Sequence, residues 1–214
     1  MDMKKPVQLD LFGGQPAAPA PDYLFFDTET TGLPRSWNAP VTDVDNWPRL
    51  VQLAYMSYDR EGQELASANV IIKPEGFNIP ADASRIHGIT TERALAEGVP
   101  LRAALGAFGA LLEKARYLVG HNISFDEKIV GAEFLRCGLA PLPANKVRIC
   151  TMHSTVDYCA IPGPRGNKWP KLMELHNKLF NEEFGGAHNA GADVAATAKC
   201  FWELKRRGII RIPA

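Results

Sequence analysis

Long apolar runs are missing from this chain: no stretch approaches the roughly 20 residues of a membrane span, so none is expected to cross a bilayer. Cysteine is scarce. The four thiols, Cys137, Cys150, Cys159 and Cys200, form no C-x-x-C pair and no His/Cys ligand spacing, which reads as reduced, mostly buried thiols of a cytoplasmic protein. A surplus of either charge is lacking too. Lys plus Arg and Asp plus Glu both number 24, for a formal net charge of zero. No global field therefore draws the chain to nucleic acid or to an anionic membrane, and any nucleic-acid contact must be local. A signal peptide is not expected either, because the apolar stretch in "VQLDLF" is too short and carries Asp10. No internal repeat is visible.

The 214 residues suffice for one domain with a proper core plus a tail. Residues 13–21, "GGQPAAPAP", hold two glycines and three prolines and read as a semi-extended linker, so residues 1–21 are expected to be a disordered tail and 22–214 the folded domain. "YLFFDTET" (23–30) has an aromatic apolar entry and then alternates, which is strand behaviour. Residues 49–74 read as two strands joined by a turn at 59–62. Helical patterns follow at 90–98 and 101–115, then a short apolar run, "YLVGHN" (117–122), expected to be a buried central strand. Ser124 and Glu127 have capping-box spacing for a helix running to Cys137, a further strand is expected at 146–152, and helices at 171–180 and about 190–207. The sum is an α/β fold, a mixed sheet that is antiparallel first and then parallel, with helices packed on it.

Carboxylates carry the chemistry. Asp27 and Glu29 lie two apart on the first strand, so both side chains share one face at its carboxyl end. Asp43 and Asp45 have the same spacing in a loop with no strand to fix them and read as solvated. Asp126 falls in the first turn of the helix after the central strand, near the end of the first strand. In "GAHNAGADVAAT", His188 precedes Asp193 by five residues, which on one helix would separate the side chains by about 140°. A loop position for His188 and a helical one for Asp193 lets both face one cleft. Each residue alone has an ordinary reading: Asp126 as a charge favouring a helix start, His188 and Asp193 as surface residues. Together the four acids form a hard, oxygen-rich set suited to Mg²⁺ or Mn²⁺. Two such ions about 3.5–4 Å apart stabilise the attacking and leaving oxygens of a phosphodiester displacement. His188 can take the proton of the attacking water.

"FFDTETTGL", "HNISFDEKI" and "HNAGADVAAT", in this order, resemble the three motifs of the DEDDh 3′→5′ exonucleases, the group that includes the proofreading (epsilon) subunit of bacterial DNA polymerase III. The resemblance covers residues 22–207. It implies an RNase H-like fold of five strands with helices on both faces, two Mg²⁺ or Mn²⁺ ions held by Asp27, Glu29, Asp126 and Asp193, His188 as general base, and a single-stranded or frayed DNA 3′ end as substrate. It also implies that Thr30, Leu33, His87, Ile89 and Phe125 meet the terminal nucleotides. For Leu33, Ile89 and Phe125 the competing reading is core packing, and for His87 a capping or surface role. In "PRGNKWPK", Arg165, Lys168, Trp169 and Lys171 combine charge with an aromatic, which suits a single strand or merely a solvated loop. The alternative functions are an exoribonuclease of the same fold and a replication-associated binding scaffold.

Gln8, Leu9, Leu11 and Phe12 in "QLDLF" resemble the Q-L-x-L-F peptides by which bacterial DNA-processing proteins bind the replicative sliding clamp. That clamp is therefore an expected partner. The competing reading is a tail segment that packs loosely on its own domain or is a cloning remnant.

Overall fold

The computed structural model describes residues 20–212. Gln8, Leu9, Leu11 and Phe12 lie outside the described residues, as does the linker up to residue 19. In chain order the elements are β1 (Tyr23–Thr30), a 3₁₀ turn (Val44–Asn46), β2 (Leu50–Tyr58), β3 (Glu64–Ile71), α1 (Ala81–His87), α2 (Thr91–Glu97), α3 (Leu101–Lys114) and β4 (Tyr117–Gly120). There follow α4 (Ile123–Arg136), β5 (Val147–Cys150), α5 (Thr151–Ser154), α6 (Val156–Cys159), the two-residue strands β6 (Pro162–Gly163) and β7 (Gly166–Asn167), α7 (Leu172–Phe180) and α8 (Ala190–Arg206).

The five-stranded sheet has the order β3-β2-β1-β4-β5. Pairing is antiparallel between β1 and β2 and between β2 and β3, and parallel between β1 and β4 and between β4 and β5. This is the mixed sheet expected from the sequence. β1 is central and its first half is apolar on both faces because helices cover both. Leu24 and Phe26 enter one core with Leu53, Leu118, Phe108 of α3 and Ile129 and Val130 of α4. Tyr23 and Phe25 enter the other with Val119, Leu175 of α7 and Val194 and Phe201 of α8. Among the described residues no helix is long and apolar enough to cross a membrane.

The pairing of β1 with β4 covers only Tyr23–Phe25 against Tyr117–Val119. β1 therefore runs on past its parallel neighbour, and on that side its last residues border the start of α4, while β2 stays paired on the other. This overhang creates the cleft.

Three local expectations differ from the structure. The capping box of α4 does not form: Asn122 caps the helix in the left-handed region (φ 72°) without a side-chain bond, Ser124 lies inside the first turn, and Glu127 accepts from Arg148 Nε at 2.9 Å. A cation from β5 thus outcompetes the local bond. The segment that carries His87 and Ile89, given no element by the sequence, begins in the short helix α1, which ends at His87. The loop at 161–170 carries the small hairpin β6-β7, opened at Gly166 (φ 110°) where a side chain would be strained.

Candidate active site

Alternation along β1 puts Asp27 and Glu29 on the face of Tyr23 and Phe25, the face that α8 covers. α8 begins at Ala190, so Asp193 stands in its first turn. One carboxylate oxygen from each of Asp27, Glu29 and Asp193 falls within 4.8 Å of the others. All three side chains are half-buried.

Asp126 arrives from the other side of the sheet. It is 3 % exposed, and its Oδ1 accepts both the Thr28 N–H at 3.0 Å and the Thr28 hydroxyl at 2.7 Å. The overhang of β1 makes this bond possible, because beyond Phe25 the strand has no paired neighbour on its β4 side. Thr28 thereby sets Asp126 next to Asp27, and the two carboxyls repel. His188 takes the expected loop position before α8, exposed and in the left-handed region at φ 67°. Its backbone N–H donates to Asp193 Oδ2 at 3.0 Å. A histidine there costs on the order of 1 kcal/mol of backbone strain, and the charge-assisted bond to Asp193 offsets it.

Burial and mutual repulsion act together on the acids. Burial first, then Asp126, Asp193 and Glu29, hold the Asp27 carboxyl well above the usual range. Burial with Asp193 and Asp126 pushes Glu29 up to about 8. Burial pushes Asp126 up to about 7 against the opposing pull of the Thr28 hydrogen bonds. Asp193 is raised by burial and partly restored by the His188 N–H and imidazole. Four carboxyls that cannot all ionise in place without a compensating charge are a site built for cations. Their donor set is all oxygen, which fits Mg²⁺ or Mn²⁺ better than a nitrogen- and sulfur-preferring metal.

Two supporting residues escaped the sequence reading. Thr28, between the two acids, draws no reading of its own from the sequence. Gln52 is 3 % exposed and stands opposite Glu29 in the β1-β2 register. Its Nε2 donates to Asn69 Oδ1 at 2.8 Å and its Oε1 accepts the Ala190 N–H at 3.2 Å, tying β2 to the start of α8 and so to Asp193. The approach is close: a Cβ on Gly191 would stand 2.3 Å from the Asn69 amide nitrogen. A lone amide in the apolar strand "LVQLAYMSY" was the available signal.

The substrate candidates divide. Leu33 is 73 % exposed just beyond β1, so core packing does not account for it. Thr30 is buried and its hydroxyl donates to the Gly32 carbonyl at 2.7 Å, shaping the turn that presents Leu33. Phe125 is half-buried with its ring 5.7 Å from that of Trp37. His87 is buried at the end of α1 beside the Thr30 backbone, with Nδ1 accepting the Ile89 N–H at 3.2 Å; burial excludes the surface reading, and the Ile89 bond is a local contact at the helix end. Ile89 requires correction: it is 0 % exposed and packs with Val51, Ile79, Ala83 and Ala94, so its side chain belongs to the core and not to a base-closing surface. In the basic segment, Lys168 is engaged with Glu174 at 2.6 Å, whereas Arg165, Trp169 and Lys171 are exposed. At the end of α8, Arg206 and the capping Arg207 pair with Glu203.

Comparison with known proteins yields consistent matches. The sequence model of the exonuclease family RNase_T matches residues 24–201. The uncharacterized exonuclease CP81 of Escherichia phage 186 is 28 % identical over 194 residues, 87 % of this chain and 90 % of that protein. Among solved structures, E. coli exonuclease I in complex with a dT13 oligonucleotide superposes with a TM-score of 0.69 at 25 % identity, covering 86 % of this chain. The zinc-bound form of an E. coli exonuclease I–ssDNA complex gives 0.67 at 25 % identity over the same share. The chain spans only about two fifths of exonuclease I, 41 % and 40 % of the two chains.

Proposed function

The chain belongs to the RNase_T exonuclease family, and from that premise we propose that it is a metal-dependent 3′→5′ exonuclease of DEDDh type acting on single-stranded or frayed DNA and releasing nucleoside 5′-monophosphates. The observation that carries the reading is the convergence of Asp27, Glu29 and Asp193 oxygens within 4.8 Å, with Asp126 buried alongside. The DNA in the exonuclease I complexes supports single-stranded DNA as the substrate.

Asp27, Glu29, Asp126 and Asp193 would hold Mg²⁺ or Mn²⁺, two ions in the full site. When bound, these supply the charge that stabilises the attacking and leaving oxygens of an in-line displacement. The chain's own residues do the rest. Thr28 fixes Asp126, and the Gln52 amide fixes the start of α8, so the carboxylates meet at a preset spacing. The exposed His188 accepts the proton of the attacking water at its imidazole. Holding His188 off the helix, at a left-handed residue bonded to Asp193, keeps that base beside the acids and open to solvent. Leu33 wedges against the terminal base, with Thr30, His87 and Phe125 shaping its surroundings.

A 5′-labelled deoxyoligonucleotide incubated with Mg²⁺ is expected to give a ladder shortening from the 3′ end, and EDTA or Asp193→Ala to remove it. A ladder persisting in EDTA would sink the metal-dependent mechanism. Release of label first from a 5′ end would sink the polarity. Run beside an RNA strand of the same sequence, the assay also separates a deoxyribonuclease from an exoribonuclease, since carboxylates that hold metal do not read a 2′-hydroxyl. Absence of cutting on both strands would leave the scaffold reading.

Gln8, Leu9, Leu11 and Phe12 are proposed to tether this domain to the replicative sliding clamp through an extended peptide. A chain with zero net charge gains a local supply of DNA ends by such a tether. Purified clamp is expected to shift the protein on a sizing column, and the double change Leu11→Ala, Phe12→Ala to abolish the shift. An equal shift in the double variant refutes the tether.

A further inference from the structure

Beside the acidic cluster lies a cavity of about 460 Å³ of opposite character, lined by Trp37, Trp47, Phe125, Lys128, His153 and Trp169 among others. It is aromatic, it contains a lysine, and no carboxylate lines it. Its walls come from separate parts of the chain: the loop after β1 brings Trp37, the first turns of α4 bring Phe125 and Lys128, and the segment before α7 brings Trp169. Phe125 directly precedes Asp126, and the roughly 100° step between helix neighbours turns one side chain to the acids and the other to the cavity.

Two features separate this cavity from ordinary packing. Trp37 and Trp169 remain 52 % and 64 % exposed, although indole rings this size are normally buried. Each leans on a single ring, Trp37 on Phe125 at 5.7 Å and Trp169 on His153 at 5.2 Å. Each is also held in place. Lys128 Nζ donates to the Trp37 carbonyl at 3.0 Å while resting 4.8 Å over the Trp47 ring. The Trp169 segment is fixed on both sides, by Lys168 on Glu174 and by His121 Nε2 on the Pro170 carbonyl at 2.9 Å. Backbone held in place beneath exposed indoles and beside a cation lowers the ordering cost that binding would otherwise impose.

We propose that this cavity is a second nucleobase site, where Trp37 and Trp169 stack an unpaired base upstream of the bond being cut and Lys128 faces the strand's phosphates. The assignment rests on the exonuclease reading for the direction of the strand. Stacking on aromatic faces tolerates any base and gives a non-specific nuclease its grip on a single strand. It answers the lack of net charge, because base stacking replaces part of the phosphate attraction that a basic protein would use.

The test is fluorescence anisotropy of a 5′-labelled octathymidylate on the full chain, with Ca²⁺ in place of Mg²⁺. Trp37→Ala and Trp169→Ala are each expected to weaken binding about 5- to 100-fold, and the corresponding Trp→Phe changes to recover most of it. Strands made abasic at one position at a time locate the base. At one position near the 3′ end, removing the base is expected to weaken the wild type as much as the alanine change does, and to weaken the alanine variant no further. Unchanged affinity in both alanine variants overturns the site, as does an equal loss on intact and abasic strands at every position, or no binding by the wild type. Trp-dependent binding by a protein that leaves every 3′ end uncut in Mg²⁺ supports the base site and overturns the exonuclease reading. Cutting with no Trp-dependent binding does the reverse.

Discussion

Asp27→Asn is expected to stabilise the metal-free protein while reducing Mg²⁺-dependent hydrolysis at least about 10³-fold, the equivalent of about 4 kcal/mol of barrier. Opposite signs on stability and activity follow from the same electrostatics. In the folded state Asp27, Glu29 and Asp126 are held above their ordinary carboxyl values, Glu29 at about 8 and Asp126 at about 7. A folded carboxyl with a raised pKa keeps a proton that the unfolded chain has already released. Its contribution is therefore fully present below the unfolded value near 4 and is lost as pH rises through the folded value. Metal-free protein should lose on the order of 2–4 kcal/mol between about pH 5 and 8. Asp27→Asn removes one of the mutually repelling charges and flattens that fall. Cations bound by the folded state restore the loss, by about 2.7 kcal/mol at a hundred times the dissociation constant.

Two histidines run against this trend. Burial lowers His87, and it pushes His121, half-buried between Thr151 and the Pro170 carbonyl, down to about 4. Both favour the folded state increasingly as pH rises towards 6.5, His121 from about 4, so they mask the carboxyl effect below 6.5. Thermal melts in EDTA from pH 6.5 to 8.5 isolate the carboxyls. A wild type whose melting point is flat in that window, or an Asp27→Asn variant less stable than wild type in EDTA, would refute the account of the site.

Glu133→Ala is expected to cost about 3–5 kcal/mol of stability, a fall of roughly 10 °C in Tm for a chain of this size. The Glu133 side chain is 1 % exposed; its Oε1 accepts from Arg49 Nε at 2.8 Å and from the Leu50 N–H at 3.0 Å, and forms an ion pair with Arg136 Nη1 at 2.9 Å. Arg136 in turn donates to the Trp47 carbonyl at 2.7 Å. One carboxylate thus joins α4, which carries Asp126, to the start of β2. Removing it leaves two guanidinium groups facing each other in a partly buried setting and a buried N–H without its acceptor. Glu133→Gln keeps the shape and should cost less. Urea unfolding of the three proteins measures this, and a loss under 1 kcal/mol for Glu133→Ala would mean the network contributes nothing beyond its neighbours' packing.

Much of the molecule was legible in one dimension because its determinants are local or periodic. The apolar entry of β1, its period of two through Asp27 and Glu29, the buried run at 117–120 and the helix carrying Asp193 all express side-chain alternation or helical spacing. His188 was placed on a loop by the geometry of a five-residue gap, and the loop is where it stands. Sequence leaves Ile89 between a base contact and core packing because motif position does not report which way a side chain turns; the side chain packs in the core. The Ser124–Glu127 spacing misled because a partner from β5, Arg148, was available to Glu127. Contacts that join distant segments had no sequence signal: Thr28 to Asp126, Gln52 to Ala190, Glu133 to Arg49.

Sequence by itself determined which residues could form a metal site and on which kind of element each would lie, since spacing and residue chemistry are properties of the chain. Tertiary structure alone decided that β1 overhangs β4, so that Thr28 can hold Asp126 beside Asp27. It also decided that two tryptophans 132 positions apart share one cavity next to that site. The reason is physical: burial, repulsion and stacking depend on distance in space, and only the folded sheet with its two helical layers fixes those distances.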